Sequence, residues 1–200
     1  QTNPATNITP PKAKSQVREV WTLAQAQQAI DLCADPVLRL AMLLALGCSL
    51  RIGEILGLTW ACVGTTEESS ANGTAGICIN KELKRCDKSS LDDLKRRGRS
   101  TVLFMFPDLK QGAKTSLVLK DPKTASSVRT VFLPGTVASA LREMKVTQES
   151  DKELLGAAYL DYNMVLAHQD GRPYEAHQIA DKLRELIQKN DLPLVVFHSL

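Results

Sequence analysis

Three basic side chains in this 200-residue sequence stand in settings from which they could act on a phosphate. Arg51 follows a long apolar run and precedes Glu54 by three residues; Lys123 lies in a Pro-Lys-Thr turn; His198 follows a second apolar stretch. A guanidinium can grip two phosphate oxygens, a turn lysine can swing in as a proton donor, and an imidazole can transfer protons. Each residue alone also fits a plainer role: a helix-surface ion pair, a solvated turn or a core histidine.

Four longer stretches place these residues in context. They resemble motifs of the tyrosine recombinases (phage integrases). Residues 43–63 resemble the family's first arginine box, and residues 122–134 its lysine hairpin. Residues 164–175 resemble its Gly-Arg-Pro loop, and residues 176–198 the helix before its histidine box. Cys48 and the 61–63 turn depart from the usual arginine box. Each motif is loose, but four in the family's order over about residues 20–200 make the resemblance specific.

The resemblance implies a role for each basic residue. Arg51 would be the family's first catalytic arginine, with Glu54 orienting it. Lys123 would be the hairpin lysine, and His198 the first residue of the histidine box. The family's second arginine and its tyrosine nucleophile are expected after Leu200, so we expect the 200-residue chain itself to be inactive. The tyrosines of the chain precede the histidine box and are expected to be structural: Tyr159, Tyr162 and Tyr174.

The resemblance also implies the reaction, which is site-specific DNA recombination for integration or excision of a phage or mobile element. A tyrosine hydroxyl attacks a DNA phosphodiester to give a 3′-phosphotyrosyl intermediate, and a 5′-hydroxyl of the partner strand reverses the step. Because the covalent link stores the bond, no ATP, metal or other cofactor is expected. The implied partners are double-stranded DNA and other copies of the protein in a tetramer. Two alternatives stay open: a noncatalytic DNA-binding protein that kept the fold, and a helical interaction domain.

Basic residues are concentrated in residues 81–99, and such a run can neutralise DNA phosphates. A solvated, mobile insertion is an equally good interpretation of this run. The residues expected to bind DNA are Lys95, Arg96, Arg97, Arg99 and Arg129.

Periodicity predicts an α+β fold in which helices precede and follow a small antiparallel sheet. A capping box at Thr22 opens a helix to Cys33, and Asp35-Pro36 opens a buried helix that ends at Gly47. Further helices are predicted over residues 90–97, 135–144 and 176–188, and strands over residues 76–80 and 101–106. Residues 116–120 and 128–133 are predicted to form a β-hairpin.

Composition is that of a globular domain, with 44% hydrophobic residues, 24% charged residues and a net charge of +3. Residues 1–19 are expected to be an interdomain linker or arm, and residues 20–200 a catalytic domain whose C-terminal part is missing. Five cysteines without a Cys-x-x-Cys pair argue against a zinc site and favour a reducing, cytoplasmic location. No apolar run is long enough to suggest a membrane span.

Overall fold

The computed structural model describes residues 19–98, 101–122 and 127–200. Arg99 and Lys123 lie outside these residues, and so does the predicted linker apart from its last residue. The predictions for them therefore stay predictions. In chain order the helices are α1 (Leu23–Leu32), α2 (Pro36–Cys48), α3 (Ile52–Leu56), α4 (Glu67–Ala71), α5 (Lys88–Arg96), α6 (Gly135–Leu155) and α7 (Ala176–Lys189). No helix of the described ranges is both long and apolar enough to cross a membrane.

The first two helices begin where the sequence predicts. The Thr22 hydroxyl accepts a hydrogen bond from the Gln25 backbone, and the Gln25 side chain accepts one from the Thr22 backbone, which confirms the capping box. The Asp35 carboxylate accepts a hydrogen bond from the Leu38 backbone at the start of α2. The end predicted at Gly47 is wrong, because α2 continues to Cys48. A Cβ on Gly47 would lie 3.3 Å from a methyl of Val137, so this glycine serves the contact between α2 and α6.

In the part of the chain that the structure describes, six strands form two small sheets. They are β1 (Val63–Gly64), β2 (Gly76–Ile79), β3 (Glu82–Asp87), β4 (Val102–Met105), β5 (Thr115–Lys120) and β6 (Arg129–Phe132). The strand order is β1-β2-β6 in one sheet and β3-β5-β4 in the other, and every pairing is antiparallel. The mostly helical α+β class is therefore confirmed, with two sheets in place of one.

The predicted hairpin of β5 and β6 is wrong. β5 pairs with β3 and β4, while β6 pairs with β2 in the other sheet. Sequence adjacency and alternation suggested a hairpin, but β3, which was not predicted, gives β5 a six-residue partner from Glu82 to Asp87. The chain thus leaves the first sheet after β2, builds a second sheet with α5, and returns to the first sheet as β6.

A single apolar core joins the helical body to both sheets. It is centred on α2, where Leu40, Met42 and Leu44 are essentially inaccessible to solvent. The second sheet lies close to α3, because a Cβ on Gly57 would be only 2.8 Å from the Cα of Glu82. Only glycine permits this close approach of β3 to the end of α3, so Gly57 fixes the junction between the helical body and the second sheet.

Candidate active site

Arg51 is positioned by a sharp change of direction between two helices. After α2 ends, Ser49 adopts a left-handed conformation with φ of 52°, and its N–H donates to the Leu44 carbonyl. Leu50 then buries its side chain in the core. Arg51 is the N-cap residue of α3, and its carbonyl accepts hydrogen bonds from Glu54 and Ile55. A buried leucine and a helix start thus fix the backbone of Arg51 on both sides.

Glu54 is a buried carboxylate in the first turn of α3, with only 4% of its surface exposed. Its Oε2 accepts the Arg51 backbone N–H at 3.0 Å, which is one half of a capping box. Its Oε1 also accepts a hydrogen bond from Nη1 of Arg51 at 3.3 Å. An isolated buried carboxylate would be costly, so it requires cationic partners.

The main cationic partner of Glu54 is Arg129, at the start of β6. Nη1 and Nη2 of Arg129 donate to Oε1 and Oε2 of Glu54 at 3.0 and 2.9 Å, and Nη1 also donates to the Ser127 carbonyl at 3.1 Å. This is a two-pronged guanidinium–carboxylate pair between residues 75 positions apart. Nothing in local spacing predicts it.

The pKa values of this pair follow from its geometry. Burial by itself raises the pKa of the Glu54 carboxyl, but the hydrogen bonds from Arg129 and from the Arg51 backbone lower it, and the net pKa lies below its ordinary value. The hydrogen bonds to Glu54 raise the pKa of the Arg129 guanidinium, in spite of its partial burial. Glu54 is therefore a fixed negative charge and not a proton donor.

The Arg51 side chain is arranged very differently from that of Arg129. It is 71% exposed, against 32% for Arg129, and its contact with Glu54 is a single long hydrogen bond. Among the described residues, no other hydrogen-bond partner of the Arg51 guanidinium is present. Most of its N–H groups therefore face solvent, where they could bind an anion such as a phosphate.

His198 lies in a short 3₁₀ turn, Phe197–Ser199, and its side chain is exposed. The neighbouring Phe197 is buried and Leu200 is partly buried, both in the core against which Ile52 of α3 also packs. Arg51 and His198 are thus both exposed, and the residues next to each of them in the chain pack in or against the same core. That they converge with Lys123 on one phosphate stays a prediction, since Lys123 lies outside the described residues.

The basic stretch of residues 81–99 is largely paired within the chain. Salt bridges join Arg85 to Glu175, Lys88 to Asp108, and both Arg96 and Arg97 to Asp93. Lys95 is exposed in the last turn of α5. The two-pronged Arg85–Glu175 pair, at 2.6 Å for each hydrogen bond, ties β3 to the start of α7. This tie was not predicted from the sequence, because its two residues are 90 positions apart.

Both the sequence and the fold of the chain have counterparts among known proteins. No protein-family model matches the sequence. A XerC-like tyrosine recombinase of Caldanaerobacter subterraneus subsp. tengcongensis is 25% identical over 166 residues, which are 82% of this chain. The Tn1549 transposon integrase in complex with circular intermediate DNA aligns with 92% of the chain at a TM-score of 0.62 and 19% identity. The chain is similar in sequence and in fold to tyrosine recombinases.

The similarity covers only part of these relatives. The chain spans 36% of the XerC-like protein and 52% of the Tn1549 integrase chain. The crystal structure of XerA recombinase shares the fold at a TM-score of 0.53 over 97% of this chain and 50% of its own, with 16% identity. The resemblance to tyrosine recombinases and the α+β fold predicted from the sequence are confirmed, while the roles of the individual site residues stay predictions.

The tyrosines that precede the predicted histidine box have packing contacts. The Tyr162 ring lies 5.0 Å from that of Phe106 in an edge-on arrangement, and the Tyr174 ring stacks on His168 at 3.8 Å. Burial raises the pKa of both Tyr159 and Tyr174, which disfavours their phenolate forms. These contacts support the structural role predicted for them.

Among the described residues, no group of three or more histidine, cysteine, aspartate or glutamate side chains could hold a metal ion. Burial raises the pKa of the Cys33 and Cys48 thiols, and all five cysteines are unpaired.

Proposed function

We propose that this protein is a site-specific recombinase that cuts and rejoins DNA through a 3′-phosphotyrosyl intermediate, in the integration or excision of a mobile element. The observation that carries the proposal is the exposed Arg51 guanidinium, held at the start of α3 by a buried carboxylate in a chain with the tyrosine recombinase fold. The DNA complex of the Tn1549 integrase supports DNA as the partner.

In this mechanism Arg51 binds the phosphate that is attacked. Transesterification passes through a pentavalent state with extra negative charge on its nonbridging oxygens. The paired N–H donors of a guanidinium stabilise that charge. Two guanidinium charges share the single carboxylate of Glu54, so the cluster of Arg51, Glu54 and Arg129 is net positive. A positive cluster with outward N–H groups attracts a phosphodiester and orients it.

Lys123 and His198 would handle protons. The departing 5′-oxygen needs a proton, which the ammonium group of Lys123 can deliver. The exposed imidazole of His198 can assist proton transfer or hold the phosphate. The nucleophile in this proposal is a tyrosine that follows the histidine box, beyond Leu200. We propose further that the protein acts as a tetramer on paired DNA sites in the cytoplasm.

We propose that the exposed end of α5 contacts the DNA backbone through Lys95, Arg96, Arg97 and the following Arg99. Arg96 and Arg97 are held by Asp93 at the protein surface, with side-chain exposures of 76% and 64%. Surface ion pairs of this kind exchange readily for phosphate because they are weak in water. Such contacts fix the position of the protein on DNA without reading the sequence.

The decisive experiment traps the covalent intermediate. A form of the protein whose reading frame continues past Leu200 is incubated with nicked suicide DNA, and the protein–DNA adduct is measured on a denaturing gel. We expect an adduct with the wild type and none with Arg51→Lys, because an ammonium cannot make the two-pronged contact. The matched control is Arg184→Lys, since Arg184 is also paired three residues away, with Asp181 on α7.

An adduct at the wild-type rate in Arg51→Lys would contradict the assignment of Arg51. If the wild-type protein binds the DNA but forms no adduct with it, the result would favour a noncatalytic DNA-binding protein. The contribution of α5 is measured separately, from the salt dependence of duplex binding by the 200-residue chain. Replacing Arg96 and Arg97 by glutamine should reduce the slope by about 0.9 for each phosphate that the protein no longer neutralises. An unchanged slope would place α5 away from DNA.

A further inference from the structure

Two arginines share the carboxylate of Glu54 unequally. Arg129 donates one hydrogen bond to each oxygen, at 3.0 and 2.9 Å, whereas the Arg51 guanidinium reaches one oxygen only, at 3.3 Å. The end-on position, in which a guanidinium pairs with one lone-pair site on each carboxylate oxygen, holds one guanidinium at a time. Arg129 occupies that position, and Arg51 is left with the weaker contact.

We infer that Arg129 is a positioning residue that keeps the Arg51 guanidinium available for phosphate by occupying both oxygens of Glu54. The consequence for catalysis rests on the proposed function, but the arrangement of the two arginines does not. This inference replaces the direct DNA contact expected of Arg129 from the sequence. It also connects β6, which follows Lys123 in the sequence, with the helix at whose start Arg51 lies.

The position of Arg129 supports an indirect role. Both of its terminal nitrogens are engaged, Nη2 by Glu54 and Nη1 by Glu54 and the Ser127 carbonyl. To turn the Nη1–Nη2 fork toward a phosphate, Arg129 would have to leave Glu54, and a buried carboxylate would lose its principal countercharge. Arg51 meets neither obstacle, because it is exposed and weakly held.

Removing Arg129 should therefore affect Arg51 in a defined way. Glu54 already accepts hydrogen bonds from the backbone N–H and from Nη1 of Arg51, so the two residues stay adjacent. Without Arg129, the carboxylate becomes free to take the Arg51 guanidinium as its two-pronged partner. An Arg51 held in that way must break a charge-assisted pair before it binds phosphate, and its affinity for phosphate falls.

The test compares Arg129→Gln with the double variant Glu54→Gln/Arg129→Gln. Glutamine at position 54 keeps an oxygen for the Arg51 backbone N–H but removes the charge that would capture the guanidinium. The probe is inorganic phosphate, titrated against the Arg51 Nε–H resonance of the 200-residue chain, which is assigned by its loss in Arg51→Lys. Solvent exchange of the same proton reports whether the guanidinium is free. The matched control is Arg184→Gln, in the surface pair with Asp181.

We expect Arg129→Gln to slow the exchange of the Arg51 proton and to weaken phosphate binding by at least about tenfold, the size of one charge-assisted hydrogen bond. The double variant should return both measurements to within about threefold of the wild type, and Arg184→Gln should leave them unchanged. If Arg129→Gln does not fold, Arg129→Lys serves in its place. A lysine keeps the charge but occupies fewer lone-pair sites of the Glu54 carboxylate. Arg129→Lys should therefore also slow the proton exchange and weaken phosphate binding, as expected for Arg129→Gln.

Wild-type exchange and phosphate binding in the single variant would overturn the inference, as would a double variant no better than the single one. The latter is the result expected if Arg129 itself holds the phosphate. Duplex DNA binding by the same proteins separates this inference from the proposed function. Arg51 resonances that behave as expected in a chain without DNA affinity would contradict the proposed function alone.

Discussion

Two carboxylates in this protein, Glu54 in the helical body and Asp93 on α5, are each paired with two arginines. The distances are nearly the same in the two clusters. The shorter contact is 2.9 Å in both, and the longer contact with the second arginine is 3.3 Å in both. Judged by distance alone, the two clusters would be equivalent.

They differ in burial. The Glu54 side chain is 5% exposed and the Asp93 side chain 40% exposed. In water a surface ion pair contributes little, because solvent screens it and two long side chains lose freedom. A buried carboxylate has given up its hydration, so the loss of its partner leaves an uncompensated charge. The buried cluster therefore constrains the structure, while the exposed cluster leaves its arginines free to exchange partners.

The largest expected effect is that of breaking the buried pair. Arg129→Ala should lower the free energy of unfolding by about 3–5 kcal/mol, since the buried carboxylate of Glu54 would lose its principal countercharge. Urea denaturation followed by circular dichroism measures this loss. Arg97→Ala, which removes one arginine from the exposed cluster, is the control. A loss below about 1 kcal/mol in Arg129→Ala would remove the distinction between the two clusters.

The junction between the helical body and the second sheet gives the next largest effect. Gly57→Ala places a Cβ 2.8 Å from the Cα of Glu82, a backbone atom that cannot turn away. We expect a loss of about 1–3 kcal/mol of stability, the usual cost of overpacking. Gly135→Ala is the control, because nothing lies within 4 Å of a Cβ at that position. Equal stability of the two variants would show that β3 is not held closely against α3.

Acid should weaken the buried cluster in a predictable direction. The pKa of Glu54 is lower in the folded chain than its ordinary value of 4.5, so its contribution to stability is fully present above pH 4.5. That contribution is lost as the pH falls through the folded pKa. Thermal melts between pH 6 and about pH 3 should therefore show a shallower acid slope in Glu54→Gln than in the wild type. Parallel slopes would mean that the carboxylate gains nothing from its arginines.

The smallest effect belongs to the exposed cluster. Asp93→Ala should change the free energy of unfolding by less than about 1 kcal/mol, and the change should shrink further in high salt. Denaturation at low and high salt checks both statements. A loss as large as that of Arg129→Ala would show that α5 depends on its ion pairs for structure, against the proposal that its arginines exchange them for phosphate.

Local sequence signals predicted the starts of the helices well. The Thr22 capping box and the Asp35 cap each depend on residues within a few positions of one another. The same local spacing identified Arg51 and Glu54 as neighbours. The predicted hairpin failed because alternation along β5 indicates a strand but not its partner, and the partner β3 lies about thirty residues earlier in the chain.

By itself, the sequence determined the family resemblance, the α+β class, the apolar helix α2 and the three-residue spacing of Arg51 and Glu54. All of these depend on residue types at short, regular spacings, which the backbone converts directly into local structure. Only the tertiary structure decided that the guanidinium of Arg129, and not that of Arg51, pairs with both oxygens of Glu54. The same holds for the pairing of Arg85 with Glu175. Those pairs join residues 75 and 90 positions apart, and burial, which no local spacing encodes, sets the strength of each.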